Sequence, residues 1–274
     1  MNKVALITGA ASGIGLEISK LMFRDNYSLI LIDKDASGLT QVQSSFHHHT
    51  NNNKVRILVK DLCKPNTAEE IYNELYEQGV VIDVLVNNAG FGILGKFEET
   101  DWQQESQMIN LHVHTVTHLC KLFLPGMISR KKGKILNVAS LASYYCGPLM
   151  SVYYASKAYI LSFSVALSNE LKGTGVGITV LCPGLTRTAF QKSMCEEKAL
   201  IRWNIGSARE VAKYAYRSMN NNKLIAIPGF FNQFLAALSR ILPLKVSAWM
   251  IRKLQLKNRV NKFEKERKEE EIFQ

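Results

Sequence analysis

Seven short aliphatic runs, each closed by a polar or glycine-bearing break and separated by longer stretches, constrain this chain most. They are Val4–Ile7, Leu29–Asp33, Val55–Val59, Ile82–Val86, Lys134–Ala139, Gly177–Leu181 and Lys223–Ile227. A run such as Leu29-Ile30-Leu31-Ile32 has no polar face, so as a strand it must be covered on both sides. The intervening stretches read as helices: apolar residues at helical spacing follow Gly15, and further helices are expected over residues 36–46, 101–129, from 151 onward and 207–219. At 274 residues the chain is long enough for one large α/β domain.

The first break is Thr8-Gly9-Ala10-Ala11-Ser12-Gly13-Ile14-Gly15, between a strand and a helix. Glycines there let the backbone approach a pyrophosphate, and the helix N-terminus adds N–H donors and a favourable dipole. A tight turn also needs glycine, so the motif gains meaning from its flanks. Asp33 closes the second run, 18 residues after Gly15. A carboxylate there accepts hydrogen bonds from adenosine ribose hydroxyls and repels a 2′-phosphate; the competing role is a turn or helix cap. Lys34 can reach a phosphate, whereas Ser12 sits where a basic residue would favour NADP. The balance points to NAD, with NADP as the other option. Asp61-Leu62 ends the third run where an adenine edge can be read, or where Asp61 caps the next helix. Asn87-Asn88-Ala89-Gly90 ends the fourth, with amides to pin a neighbouring loop and small residues to let a dinucleotide lie close. Pro183-Gly184-Leu185-Thr186-Arg187-Thr188 ends the sixth and offers backbone, Thr186 and Thr188 to a carboxamide.

Tyr153 and Lys157 lie four residues apart in a helical stretch and so share a face. A fixed cation favours the phenolate, and acid/base work near neutrality asks a tyrosine to drop about three units from about 10. Ser140, at the end of the fifth run, can converge on the same carbonyl. Asn110 is polar in an apolar helical stretch; it either holds a water or deforms the helix near the site, or faces solvent. Leu141, Tyr144, Tyr145, Leu149 and Met150, with Phe190, Met194 and Trp203 of a lid over residues 189–204, make the surroundings apolar and suit a hydrophobic small molecule.

The chain carries 34 Lys and Arg against 23 Asp and Glu. About +5 of the excess falls from Arg240 onward, where ten basic residues face five glutamates. That pattern implies an anionic partner or surface, and no nucleic-acid partner is expected. Residues 230–256 combine an i, i+3, i+4 apolar stripe with Arg240, Lys245, Arg252 and Lys253, broken at Pro243. This extension can cover the substrate mouth, join another subunit or lie peripherally on a membrane. Five scattered cysteines without a CxxC, and no apolar run of membrane-span length, point to a cytoplasmic protein. His47-His48-His49 reads as a solvated loop, and no metal is expected.

Together, Thr8-Gly9-x-x-x-Gly13-x-Gly15, Asn87-Asn88-Ala89-Gly90, Asn110, Ser140, Tyr153-x-x-x-Lys157 and Pro183-Gly184 resemble the classical short-chain dehydrogenases/reductases over roughly residues 3–229. The resemblance implies a Rossmann domain over 1–229 with a seven-stranded parallel sheet in order 3-2-1-4-5-6-7, followed by the helical extension over 230–274. It implies a catalytic set of Asn110, Ser140, Tyr153 and Lys157. It also implies a nicotinamide cofactor held by Gly9, Ser12, Gly13, Ile14, Gly15, Asp33, Asp61, Leu62, Asn88, Ala89, Gly90, Tyr153, Lys157, Pro183, Gly184, Thr186 and Thr188. The implied reaction is hydride exchange with an alcohol or ketone, in a homodimer or homotetramer. The C-terminal extension is similar to 3-oxoacyl-reductase-like and hydroxysteroid-dehydrogenase-like members. The same fold also occurs as an idle cofactor-sensing scaffold, but such proteins tend to lack part of the set present here.

Overall fold

A computed structural model describes residues 2–46, 53–187 and 206–256. Chain order is β1 (Val4–Thr8), α1 (Gly13–Arg24), β2 (Ser28–Asp33), α2 (Ala36–Phe46), β3 (Val55–Val59), α3 (Thr67–Glu77), β4 (Val84–Asn87) and α4 (Trp102–Ile109). Then come a π-helical segment (Asn110–Thr115), α5 (Val116–Ser129), β5 (Gly133–Val138), a 3-10 turn (Leu141–Tyr144), α6 (Ser151–Glu170) and β6 (Val176–Leu181). The chain continues through α7 (Ala208–Asn220), β7 (Ile225–Ala226), α8 (Phe230–Leu238) and a helix over 244–256, here α9. A small parallel ladder joins Thr186–Arg187 to Gly206–Ser207.

The seven strands form one parallel sheet in the order 3-2-1-4-5-6-7, as the resemblance implied. Period-two alternation divides its side chains between two cores. Ala5, Ile7, Leu29 and Leu31 face the layer of α1, α2 and α7, while Leu6, Ile30, Ile32 and Leu85 face the layer of α3, α5 and α6. Each strand is therefore apolar throughout because it meets helices on both faces.

The break after β1 is fixed by close packing. Gly9 and Gly13 have φ of +64° and +58°, in the left-handed region that side chains rarely adopt. A Cβ on Gly15 would lie 2.2 Å from the Gly9 carbonyl oxygen, so α1 approaches the loop only because that carbon is absent. Gly15→Ala is expected to lower unfolding stability by about 2–3 kcal/mol, read as a lower denaturant midpoint at unchanged m-value.

The helix expected over 101–129 follows one continuous path but changes its winding. Asn110–Thr115 is π-helical between α4 and α5, so of the sequence alternatives for Asn110 the structure takes the deformed helix. The Thr115 hydroxyl ties this segment to the Leu62 carbonyl at 2.8 Å.

Candidate active site

The C-terminal ends of the parallel strands open into a cleft of about 890 Å³, where α/β sheets of this topology bind ligands. Its floor is the β1–α1 break: Gly9, Ser12, Gly13 and Ile14 line it, and the first N–H groups of α1 have no intrahelical partner. Gly15 packs beneath that surface instead. Asn88 donates from Nδ2 to the carbonyls of Thr8 and Gly9, each at 3.0 Å, and the Thr8 hydroxyl accepts from the N–H groups of Asn88 and Ala89. Asn88 thus pins the loop, as expected of one amide. Asn87 turns inward, donating to Asn137 at 2.9 Å, and Asn137 donates on to Ser164. Of the two adjacent amides, one serves the cleft and the other the core.

At one end of the cleft the Asp33 carboxylate accepts from the Ala11 N–H at 3.1 Å and the Asp35 N–H at 3.2 Å. It caps a turn, the competing role in the sequence, and Asp33 also lines the cleft. Lys34, Lys60, Asp61 and Leu62 line the same end. Asp61 accepts from the Cys63 N–H and closes a turn; the helix-capping position before α3 belongs to Asn66.

At the other end, Ser140, Tyr153 and Lys157 converge on the cleft. Ser140 leaves the end of β5, accepts from the Ala142 N–H at 3.1 Å, and hydrogen-bonds the Tyr153 phenol. The Ser140 oxygen already accepts, so its own proton is free for the phenol. Tyr153 and Lys157 are one turn apart on α6, and both are buried. The amine donates to the Val138 carbonyl at 3.1 Å and sits 5.9 Å from the Tyr153 ring centroid.

The electrostatics differ from the sequence expectation. Burial pushes the Tyr153 phenol up to about 12; the Ser140 bond acts against this and Tyr154 adds to it. Burial pulls the Lys157 amine down to about 7, with Cys182 acting in the opposite direction. Desolvation of both groups outweighs the attraction of a cation for a phenolate: an amine that loses its proton near 7 is neutral over the range in which a phenol near 12 titrates. The expected acidic phenol is not what this site holds.

Tyr154, the adjacent tyrosine, also lines the cleft, but its hydroxyl accepts from Gln255 at 3.4 Å. Asn110 is half-buried at the start of the π segment and is not among the cleft-lining residues. Pro183, Gly184 and Thr186 line the cleft, and Asn232 fills the space a Gly184 side chain would need. Thr188 and the lid residues Phe190, Met194 and Trp203 lie outside the described residues, as do His47–His49. Leu141, Tyr145 and Met150 supply the apolar wall as expected, whereas Tyr144 turns to the Cys182 thiol and Leu149 does not reach the cleft.

Sequence reasoning missed one group, His112, fully buried behind Gly90. Its Nε2 accepts from the Phe91 N–H at 3.3 Å, so Nδ1 carries the proton and donates to Ser156 at 2.9 Å; Ser156 in turn donates to the Tyr153 carbonyl. Burial, then the Lys157 charge, holds this imidazole well below its usual range and therefore neutral. A histidine amid aliphatic residues two positions after Asn110 was the available signal. Of the alternatives for the C-terminal extension, the structure sets its inner face over the cleft mouth: Phe231 and Leu235 from α8, with Met250, Ile251 and Leu254 from α9, line the cleft. The Tyr145 hydroxyl secures α8 by donating to the Leu235 carbonyl at 2.5 Å.

The sequence profile described as short chain dehydrogenase matches residues 3–199. The ketoacyl reductase HetN of Nostoc sp. is 32% identical over 182 residues, which is 66% of this chain and 63% of that protein. A very-long-chain 3-oxoacyl-CoA reductase of Pyrenophora tritici-repentis is 32% identical over 193 residues, 69% of this chain and 56% of its own length. The chain thus spans under two thirds of both of these curated relatives. Among solved structures, a short-chain dehydrogenase from Sphingobium yanoikuyae in complex with NADPH superposes with TM-score 0.76 at 24% identity, covering 87% of this chain and 94% of that one. A 7beta-hydroxysteroid dehydrogenase does so with TM-score 0.81 at 21% identity, covering 91% and 96%.

Proposed function

The chain belongs to the short-chain dehydrogenase family, and from that premise we propose that it reduces a hydrophobic ketone, of 3-oxoacyl or oxosteroid type, at the expense of a reduced nicotinamide. One observation carries the reading: a phenol and an amine one helical turn apart, with a serine hydroxyl bonded to the phenol, meet at the apolar end of a cleft whose other end is a glycine loop. The residues present fit a dinucleotide. Gly90 could not bear a Cβ, which would meet His112 at 2.8 Å and Lys157 at 3.3 Å, and the left-handed Gly9 and Gly13 keep the loop low against the floor. Gly9, Ser12, Gly13 and Ile14 would hold the pyrophosphate with the start of α1. Asp33 would hold the adenosine ribose, Asp61 and Leu62 the adenine, and Asn88, Ala89 and Gly90 the middle of the cofactor. Pro183, Gly184 and Thr186 would meet the carboxamide. When bound, the nicotinamide supplies or accepts the hydride.

The protein's own part is to orient and to move a proton. Ser140 donates to the substrate oxygen as charge develops on it. Tyr153 then gives that oxygen its proton. A phenol held near 12 is protonated at neutral pH, which is the form that carbonyl reduction needs. Lys157 would hold the nicotinamide ribose, and the Val138 carbonyl fixes its reach. Asn110 acts through the backbone, by starting the π segment that carries Leu111 and His112 to the cleft and its backing. His112 keeps the Gly90–Phe91 backbone and α6 in register. The working unit is a homodimer or homotetramer.

The test is a panel of 3-oxoacyl thioesters, oxosteroids and small apolar ketones offered with NADH and with NADPH, following the reduced-nicotinamide absorbance. Oxidation of neither cofactor across the panel would overturn the reading. We further propose NADH as the preferred cofactor, since a carboxylate at the adenosine end of the cleft, Asp33, would repel a 2′-phosphate. NADH is expected to bind roughly tenfold more tightly than NADPH, with Lys34 and Lys60 limiting the contrast. Asp33→Ser should narrow or reverse the ratio; unchanged selectivity on titration by fluorescence would remove Asp33 from the argument.

A further inference from the structure

The inner faces of α8 and α9 wall the cleft, but their outer faces remain open. Phe230, Ile241, Leu244 and Trp249 are 86%, 82%, 69% and 56% exposed, an unusual concentration of large apolar side chains. Arg240, Lys245, Arg252 and Lys253 are exposed among them, and none forms a salt bridge with a described residue; Lys253 lies over the Trp249 ring at 3.9 Å. The sequence holds no Asp or Glu between Glu210 and Glu264. On α9 the buried Ser247 and Gln255, with the half-buried Ile251 and Leu254, mark one face, and Lys245, Trp249, Arg252 and Leu256 mark the opposite one. Aromatic and aliphatic groups interleaved with cations that have no described ion-pair partner, on a face without a carboxylate among the described residues, match the region where acyl chains meet headgroups.

We propose that α8 and α9 dock this protein on the surface of an anionic lipid bilayer. A second copy is a poor occupant, because a two-fold contact through this face would set its cations against their own equivalents with no acid among the described residues of α8 and α9 to offset them. No described helix is long and apolar enough to cross a membrane, so the attachment lies in the interfacial plane. Phe231 and Met250 line the cleft and are also half-exposed, at 49% and 48%. They bring the cleft mouth to the docking face, so an apolar substrate passes from the bilayer to the site. That last corollary rests on the hydride-transfer reading; the docking itself does not.

Sedimentation of the full chain with vesicles tests the docking without turnover. Binding is expected to vesicles of phosphatidylcholine mixed with phosphatidylglycerol, to weaken with salt, and to be far lower on phosphatidylcholine alone. Each cation near an anionic leaflet is worth roughly fivefold in partitioning, so Lys245→Glu with Arg252→Glu should lower it by more than about 25-fold. A blue shift of tryptophan emission on binding should disappear in Trp249→Phe. Ile241→Glu with Leu244→Glu should abolish sedimentation and leave the thermal melt unchanged, because neither residue touches the cleft. Failure of the wild-type chain to sediment with the mixed vesicles, or binding by the charge-reversed variant equal to wild type, would overturn the proposal. A dimer that the Ile241 and Leu244 variant splits, by light scattering, would also overturn it and assign the face to a second copy. Loss of turnover with vesicle binding intact would instead count against the catalytic reading.

Discussion

Tyr153→Phe should lower kcat for ketone reduction by roughly 10²–10⁴-fold, the range that a positioned general acid supplies, or about 3–5 kcal/mol of barrier. The substitution removes one oxygen from a buried side chain that packs with Met108 and Met150. Cofactor affinity should stay within about twofold, since the ring remains and Lys157 keeps its bond to the Val138 carbonyl. The Ser140 hydroxyl loses its phenol partner, so a modest stability change, about 1 kcal/mol, should accompany the loss. Steady-state kinetics beside nicotinamide binding separates the two effects. Turnover within tenfold of wild type would move the acid to Tyr154 or to water.

Lys157→Met should raise the stability of the ligand-free protein while removing most of its activity. The native amine titrates near 7 and the unfolded one near 10.5. Below pH 7 both states carry the proton, and the native state bears the full penalty of a buried charge. Between 7 and 10.5 the unfolded chain binds more protons than the native one, so wild-type stability rises with pH. Above 10.5 neither state is charged and the penalty is gone. At about 1.36 kcal/mol per unit the penalty near pH 7 is on the order of 4 kcal/mol. The Val138 carbonyl loses a donor in the variant, which returns about 1 kcal/mol or more. Lys157→Met is thus expected to unfold at higher temperature at pH 6–7, by the equivalent of about 2–3 kcal/mol, with the gap closing toward pH 10. Equal melting temperatures throughout would mean that the amine is solvated in the native state. A site that destabilises its own scaffold is the usual sign of groups kept for chemistry.

The strands were legible because burial on both faces leaves no polar position to confuse the period. Ile30 and Leu31 point into different cores yet are both aliphatic. Strand ends were less legible: the seventh run was expected over 223–227 and pairs only at Ile225–Ala226, since ladder bonds, not composition, decide where pairing stops. The glycine loop, Asp33, Ser140 and the Tyr-Lys pair all reach the cleft because each sits at a fixed offset from a strand end or on one helix face. The charge state of that pair was not legible. Spacing tells which groups meet, whereas desolvation by Met108, Met150 and their neighbours depends on the whole assembly. His112 stayed hidden for a related reason. Its partners Phe91 and Ser156 are 21 and 44 residues away in sequence, and no local pattern announces them.

The π segment has a consequence for the phase of the second half of the molecule. A single turn of wider winding holds one residue more than the α-helix it replaces, and one residue is about 100° of rotation. The stripe Leu119, Cys120, Phe123 and Met127 faces the sheet only because that extra residue is present upstream. Excision of any one position between Asn110 and Thr115 would let the helix rewind regularly and swing this stripe a quarter-turn away from β4 and β5. The segment that offers Leu111 to the cleft and His112 to its backing thus also sets the angular origin for everything α5 packs against.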